Sequence, residues 1–186
     1  MDREGHLGAS LLYFTPLAIA LVFLNRINLL FVGYGIIFST FMLPDYDMRI
    51  PFLSHRKTSH SVFASVVIGV LFLAIAGGVY YYRPEIITGF YQHNPLELIM
   101  FVGLMGFLTM IFHILGDIYT PMGVPLLLPF NDKSFSLNLF RFDNIVANYL
   151  FLFAGILSLL GIIVFVIYTN GVVCETKSFY YPFPCV

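Results

Sequence analysis

The chain has 186 residues, 59% hydrophobic and 10% charged, with a formal net charge of -1. Soluble domains carry roughly 25% charged residues, so this composition belongs to a protein built for lipid. The near-neutral balance excludes an electrostatic nucleic-acid surface, which needs clustered basic residues in excess.

Crossing a hydrocarbon core of about 30 Å takes about 20 apolar residues in a helix. Five runs approach that length, and no internal repeat, low-complexity tract or long linker separates them. The expected fold is therefore all-α: one polytopic transmembrane helical bundle of about five membrane helices. The first run covers residues 7–24. It is followed by Asn25 and Arg26 rather than a small-residue cleavage site, which reads as a retained helix and not a removed signal peptide. The second, 29–43, has roughly 15 residues, and either tilts little in a thin region or packs in the bundle without crossing fully.

Between the second and third runs lies LPDYDMRIPFLSHRKTSHS, which crowds ionisable groups into an otherwise apolar chain. Pro44 and Pro51 bracket its first part and oppose a regular helix. In an extended chain, residues two apart point the same way, so Asp45 and Asp47 would offer two carboxylates to one site, or form an acidic solvated loop. Carboxylates held close repel unless a cation or shared proton separates them. His55 and His60 are five apart, about 140° around a continuous helix, so at least one lies in loop if both point inward. Arg56 offers a forked donor suited to phosphate or carboxylate, Lys57 reads as a juxtamembrane anchor, and Thr58, Ser59 and Ser61 suit the cap of the next helix.

The third run covers 61–82 and the fourth 95–115. Asn94, Pro95 and Glu97 fit an N-cap, a first-turn proline and a third-position carboxylate. His93 is read as an ordinary loop residue. The fourth run ends in HILGD, whose spacing of four puts His113 and Asp117 on one helix face, either to ligate one cation or to share a hydrogen bond as a structural pair. A charge at this depth faces the bundle interior or water, because facing lipid costs several kcal/mol. The fifth run covers 145–168, with Asp143 as its expected cap. Beyond it, Cys174 and Cys185 either form a disulfide or remain free thiols beside an aromatic stretch.

With all five runs spanning, the N-terminus and the loops 44–60 and 116–143 share one side. That side holds six of the nine basic residues and is expected to be cytoplasmic, leaving residues 171–186 as an extracytoplasmic tail. His6, Asp45, Asp47, His55, His60, His113 and Asp117 all gather on it. Imidazole nitrogens and carboxylate oxygens are ligands for zinc and related metals. Seven such groups exceed one tetrahedral shell and suit two ions, or one ion with supporting partners and a general base.

At these residues the chain resembles the YdjM-like family of membrane-bound metal-dependent hydrolases. The resemblance rests on His6 before an apolar helix, LPDYD, HRKTSHS and HILGDIYTPMGVPLLLPF, in that order, over about three quarters of the chain. The family usually has threonine immediately before the second histidine of the HR block; here Ser59 preserves the hydroxyl. What the resemblance implies is a helical membrane domain over 1–170 with a divalent-metal site, Zn2+ or Mn2+ in one or two ions. It also implies hydrolase activity, with phosphoester cleavage suggested by a distant relation to zinc-dependent phospholipase C. The implied metal ligands are His6, Asp45, His55, His60, His113 and Asp117. Asp47 or Asp45 would accept a proton and Arg56 would hold a phosphate. The expected substrate is a membrane lipid or lipid-linked phosphate reaching the site from the cytoplasmic face. The competing expectation is a non-enzymatic membrane protein, a metal or proton carrier or an assembly factor, whose polar cluster fixes helix packing. A carrier should continue its polar residues across the bilayer, yet the third and fifth runs are nearly all aliphatic, aromatic or glycine.

Overall fold

The computed structural model describes residues 1–49 and 58–180, with side chains over 1–46 and 59–169. The chain runs through α1 (Arg3–Phe23), α2 (Ile27–Thr40), a 3-10 segment (Leu43–Arg49), a 3-10 turn (Thr58–His60), α3 (Val62–Tyr82), α4 (Pro84–Phe90), α5 (Pro95–Ile118) and α6 (Ile145–Tyr180). Among the described residues there is no strand; the loop after α5 holds one isolated antiparallel bridge between Val124 and Phe135. The all-α expectation holds.

Five helical stretches are long and apolar enough to cross a membrane: Arg3–Phe23, Ile27–Tyr46, Val62–Tyr82, Pro95–Ile118 and Ile145–Thr169. The second is longer than its sequence suggested. The helix starts two residues earlier, and the 3-10 segment carries the apolar path on to Tyr46, giving 20 residues. That same segment overturns the extended reading of PDYD. Pro44 needs no N–H in a first helical turn, and its fixed φ suits helical entry. With three residues per turn, positions two apart no longer share a side, so the alignment argued for Asp45 and Asp47 does not apply.

Cap chemistry sets several boundaries. Ser61 Oγ accepts from Ala64 N at 3.1 Å to open α3, and Asn94 Oδ1 accepts from Leu96 N at 3.0 Å to open α5, with Pro95 in its first turn. The cap of α6 is Asn144, whose Oδ1 accepts from Ala147 N at 3.0 Å. Asp143 instead pairs with Arg141 at 3.1 Å, because the helix begins one residue later than a cap at 143 requires. Glu97 accepts from Arg26 Nε at 2.8 Å and so ties the α1–α2 turn to the start of α5. Two features have no counterpart in the five-run reading: the short α4, and the continuation of α6 past 168 to Tyr180. Cys185 and the side chain of Cys174 lie outside the described residues.

Helices α1 and α5 form the centre. Half of the apolar window of α1 and 61% of that of α5 are buried, against 17% for α3 and 11% for α6. The flanking pair α3 and α6 therefore turns most of its surface outward, to where lipid would lie. α6 packs on α1 through Gly8 and Gly155: a Cβ on Gly8 would collide with the Phe151 carbonyl, and one on Gly155 with the Gly8 carbonyl. α2 packs on both α1 and α5, with Phe14 edge-on to Tyr34 at 4.9 Å. The alternating direction of successive long helices brings the start of α1, the end of α2, the start of α3, the end of α5 and the start of α6 to one end of the bundle. Asp2 N donating to Asn148 Oδ1 at 3.1 Å is one of the bonds that close this end.

Candidate metal centre

Four elements each bring polar side chains to that end. His6 lies one turn into α1, Asp45 in the 3-10 segment after α2, His60 in the turn before α3, and His113 and Asp117 one turn apart at the end of α5. His6, His60, His113 and Asp117 are buried, at 1% exposure or less. They are the only buried histidines or carboxylates among the described residues.

One donor atom from each of Asp45, His60, His113 and Asp117 falls within 4.8 Å of all the others. His60 Nε2 is 3.3 Å from Asp45 Oδ1 and 3.3 Å from Asp117 Oδ2. His113 Nε2 is 3.4 Å from Asp45 Oδ1 and 3.7 Å from Asp117 Oδ2. Donor atoms bound at about 2.0–2.2 Å in a tetrahedral shell lie about 3.3–3.6 Å apart, so three of these nitrogen–oxygen edges have the size of a coordination shell and the fourth, at 3.7 Å, is slightly longer.

The protonation pattern points the same way. His113 Nδ1 lies 2.8 Å from the Phe41 carbonyl oxygen, and a carbonyl only accepts, so Nδ1 carries the hydrogen. In the neutral ring Nε2 then presents a lone pair towards two carboxylates. It is buried and makes no hydrogen bond. Such an arrangement is repulsive unless positive charge stands beside it, supplied by a proton on His60 and the Met1 amino group or by a bound cation that displaces that proton. The Phe41 carbonyl is also the kind of outer partner that fixes a ligand histidine's tautomer and ring orientation. Ser59 Oγ is placed similarly for His60, 2.9 Å from Nδ1. Burial pushes His60 down, but the Asp117 and Asp45 carboxylates outweigh it and hold the ring up at about 8. The carboxylate field that retains a proton there also favours a cation.

His6 stands beside the four-atom group. Its ring stacks on His113 with centroids 3.7 Å apart and planes 4° from parallel, and its Nε2 is 3.3 Å from the other Asp117 oxygen, Oδ1. Neither ring nitrogen makes a hydrogen bond. Gly116 makes the stack possible, since a Cβ there would lie 2.9 Å from His6 Nδ1. The amino nitrogen of Met1 donates to the same Asp117 Oδ1 at 2.6 Å.

Of the residues expected from sequence, His6, Asp45, His60, His113 and Asp117 are thus brought together. His55, Arg56 and the side chain of Asp47 lie outside the described residues. His93 stays at the opposite end, exposed and 3.5 Å from Arg26. Sequence reasoning missed Phe41, because a backbone carbonyl leaves no mark in residue type, and it counted Arg3 only as a charge. Arg3 in fact stands over the Phe41 ring at 5.8 Å and lines a cavity of about 270 Å³ with Asp45. The buried Asp45, His60, His113 and Asp117 cluster could hold a metal ion.

No curated protein and no solved structure matches the chain. A family model does, over residues 1–178, and the chain belongs to the YdjM inner membrane protein family.

Proposed function

We propose that the protein is a metal-dependent hydrolase of the membrane, cleaving a phosphoester of a lipid or lipid-linked substrate at the cytoplasmic face. The observation that carries this reading is the four-ligand cluster beside a cavity lined by Asp45 and Arg3. A divalent cation, Zn2+ or Mn2+, would be held by Asp45, His60, His113 and Asp117, and when bound it supplies an acidified water and polarises a phosphoryl oxygen. Asp45 is the one of the four that lines the cavity. With 15% side-chain exposure it can meet substrate and accept a proton when its second oxygen is not a ligand. Asp47 is the alternative base, and Arg56 a phosphate-holding group. His6 stands against the second oxygen of Asp117 and shields His113 by stacking. With N-terminus and site on the cytoplasmic side, five spans put the C-terminus outside.

Burial of histidines and carboxylates at one end supports a one-sided site over a carrier, whose ionisable groups would continue along the bundle. Metal analysis of the purified protein, with phosphoesterase assays on lipid phosphates repeated for His113→Ala and Asp45→Ala, tests the reading. Bound metal and turnover lost together in both variants are expected. Metal without turnover across a broad panel of phosphoesters would leave a binding protein instead.

A further inference from the structure

Three cavities meet at one side chain. The first, about 270 Å³, is lined by Arg3, Phe41 and Asp45 and opens beside the metal cluster. The second, about 340 Å³, shares Arg3 and Phe41 with it and reaches Leu152 of α6. The third, about 440 Å³, is an apolar groove between α2 and α6, walled by Leu30 and Phe31 on one side and by Leu159 and Ile163 on the other. Phe38 lines all three. Along α2 the groove runs from Leu30 to Phe38, about 12 Å at the helical rise. The molecule therefore offers an apolar groove along two helices that meets, at the Phe38 side chain, the cavities holding the Arg3 guanidinium and the Asp45 edge of the ligand cluster.

Among the described residues Arg3 is the one basic side chain that lines these cavities, which the Asp45 and Glu4 carboxylates also line. Among the described residues it forms no ion pair, although it stands next to a cluster rich in carboxylates. Its planar fork matches phosphate oxygens, and its seat over the Phe41 ring leaves those donors in the cavity region rather than committed to a partner. We infer that Arg3 and the α2–α6 groove together bind an amphiphilic phosphate, the guanidinium taking the phosphate and the groove taking the hydrocarbon chain. The inference rests on the proposed hydrolase only for where the ester sits, beside Asp45. The chain of a membrane lipid would reach the groove laterally, between two helices whose outer residues Phe31 and Ile163 are exposed.

Equilibrium binding to the full-length protein tests this without requiring turnover. The probes are alkyl phosphates of graded chain length, with the matching alkyl alcohols as chain-only controls, read by native mass spectrometry from detergent. Saturable binding that tightens with chain length is expected. Arg3→Gln should weaken the phosphates roughly tenfold or more and leave the alcohols unchanged, because a charge-assisted hydrogen bond is lost. Ile163→Trp, which fills the groove, should abolish the chain-length dependence, with Leu159→Trp as a second filling variant. Val164→Trp, on the exposed face of α6 outside the groove, should not. Equal binding of phosphates by Arg3→Gln and the native protein, or equal effects of tryptophan at 163 and 164, overturns the inference. Binding as expected without hydrolysis would sink the hydrolase reading alone, whereas lipid-phosphate turnover indifferent to Arg3 and to the groove would sink this one alone.

Discussion

His113 Nδ1 donates to the Phe41 carbonyl oxygen at 2.8 Å. This bond joins the end of α5 to the end of α2, and its effect is to aim the opposite nitrogen of the ring, with its lone pair, at the Asp45 and Asp117 carboxylates. Backbone geometry in one helix thereby decides which atom of a side chain in another is free to bind a cation.

A first consequence concerns metal content. His113→Ala and Asp45→Asn should each abolish bound metal in purified protein, measured by elemental analysis. His93→Ala should retain it, since that ring lies at the other end of the bundle. Ser59→Ala removes the hydroxyl beside His60 Nδ1 and should weaken metal affinity by roughly tenfold, within the range for outer partners of ligand histidines. Undiminished metal in His113→Ala would rule out the four-atom cluster as the site.

Metal removal should lower thermal stability. An ion that binds the folded protein at a free concentration of 100 times its Kd stabilises it by about 2.7 kcal/mol. Chelation should therefore depress the Tm of the native protein in detergent, and readdition should restore it. In Asp45→Asn the chelator should change nothing.

The α1–α6 contact makes a sharper packing prediction. Gly8→Ala places a methyl against the Phe151 backbone, which cannot move as a flexible side chain can. Overpacking of this kind costs about 1–3 kcal/mol. At Gly35, in α2, a Cβ meets nothing within 4 Å, so Gly35→Ala should be neutral or gain up to about 1 kcal/mol from helix propensity. Thermal or denaturant unfolding of the two variants side by side checks the contrast.

Asn148 is buried at 2% exposure and donates through Nδ2 to the Phe142 carbonyl at 2.8 Å and the Asn144 carbonyl at 3.0 Å while accepting from Asp2 N. Asn148→Leu keeps much of the volume but strands these partners, at a cost of about 1–3 kcal/mol. Because Asp2 precedes α1 and His6 follows one turn later, the same variant should also loosen metal binding. An unchanged Tm would show that the network is dispensable.

The amino-acid sequence by itself determined the medium, the number of long apolar helices and several of their ends, because these depend on run length and on local groups: Ser61 and Asn94 cap helices through bonds spanning only two or three residues. It also paired His113 with Asp117, since a spacing of four is a property of any α-helix. It misjudged PDYD, where two prolines were compatible with both an extended chain and a 3-10 segment, and Asp143, where a one-residue shift gave the cap to Asn144. Only the tertiary structure decided that Asp45 and His60 meet that pair at ligand spacing, that His6 stacks beside them, and that the Phe41 carbonyl sets the His113 tautomer. Those outcomes depend on how each helix is rotated about its own axis, which is fixed by contacts such as Gly8 against Gly155 between residues far apart in the chain, and hydrophobicity along the sequence does not record it.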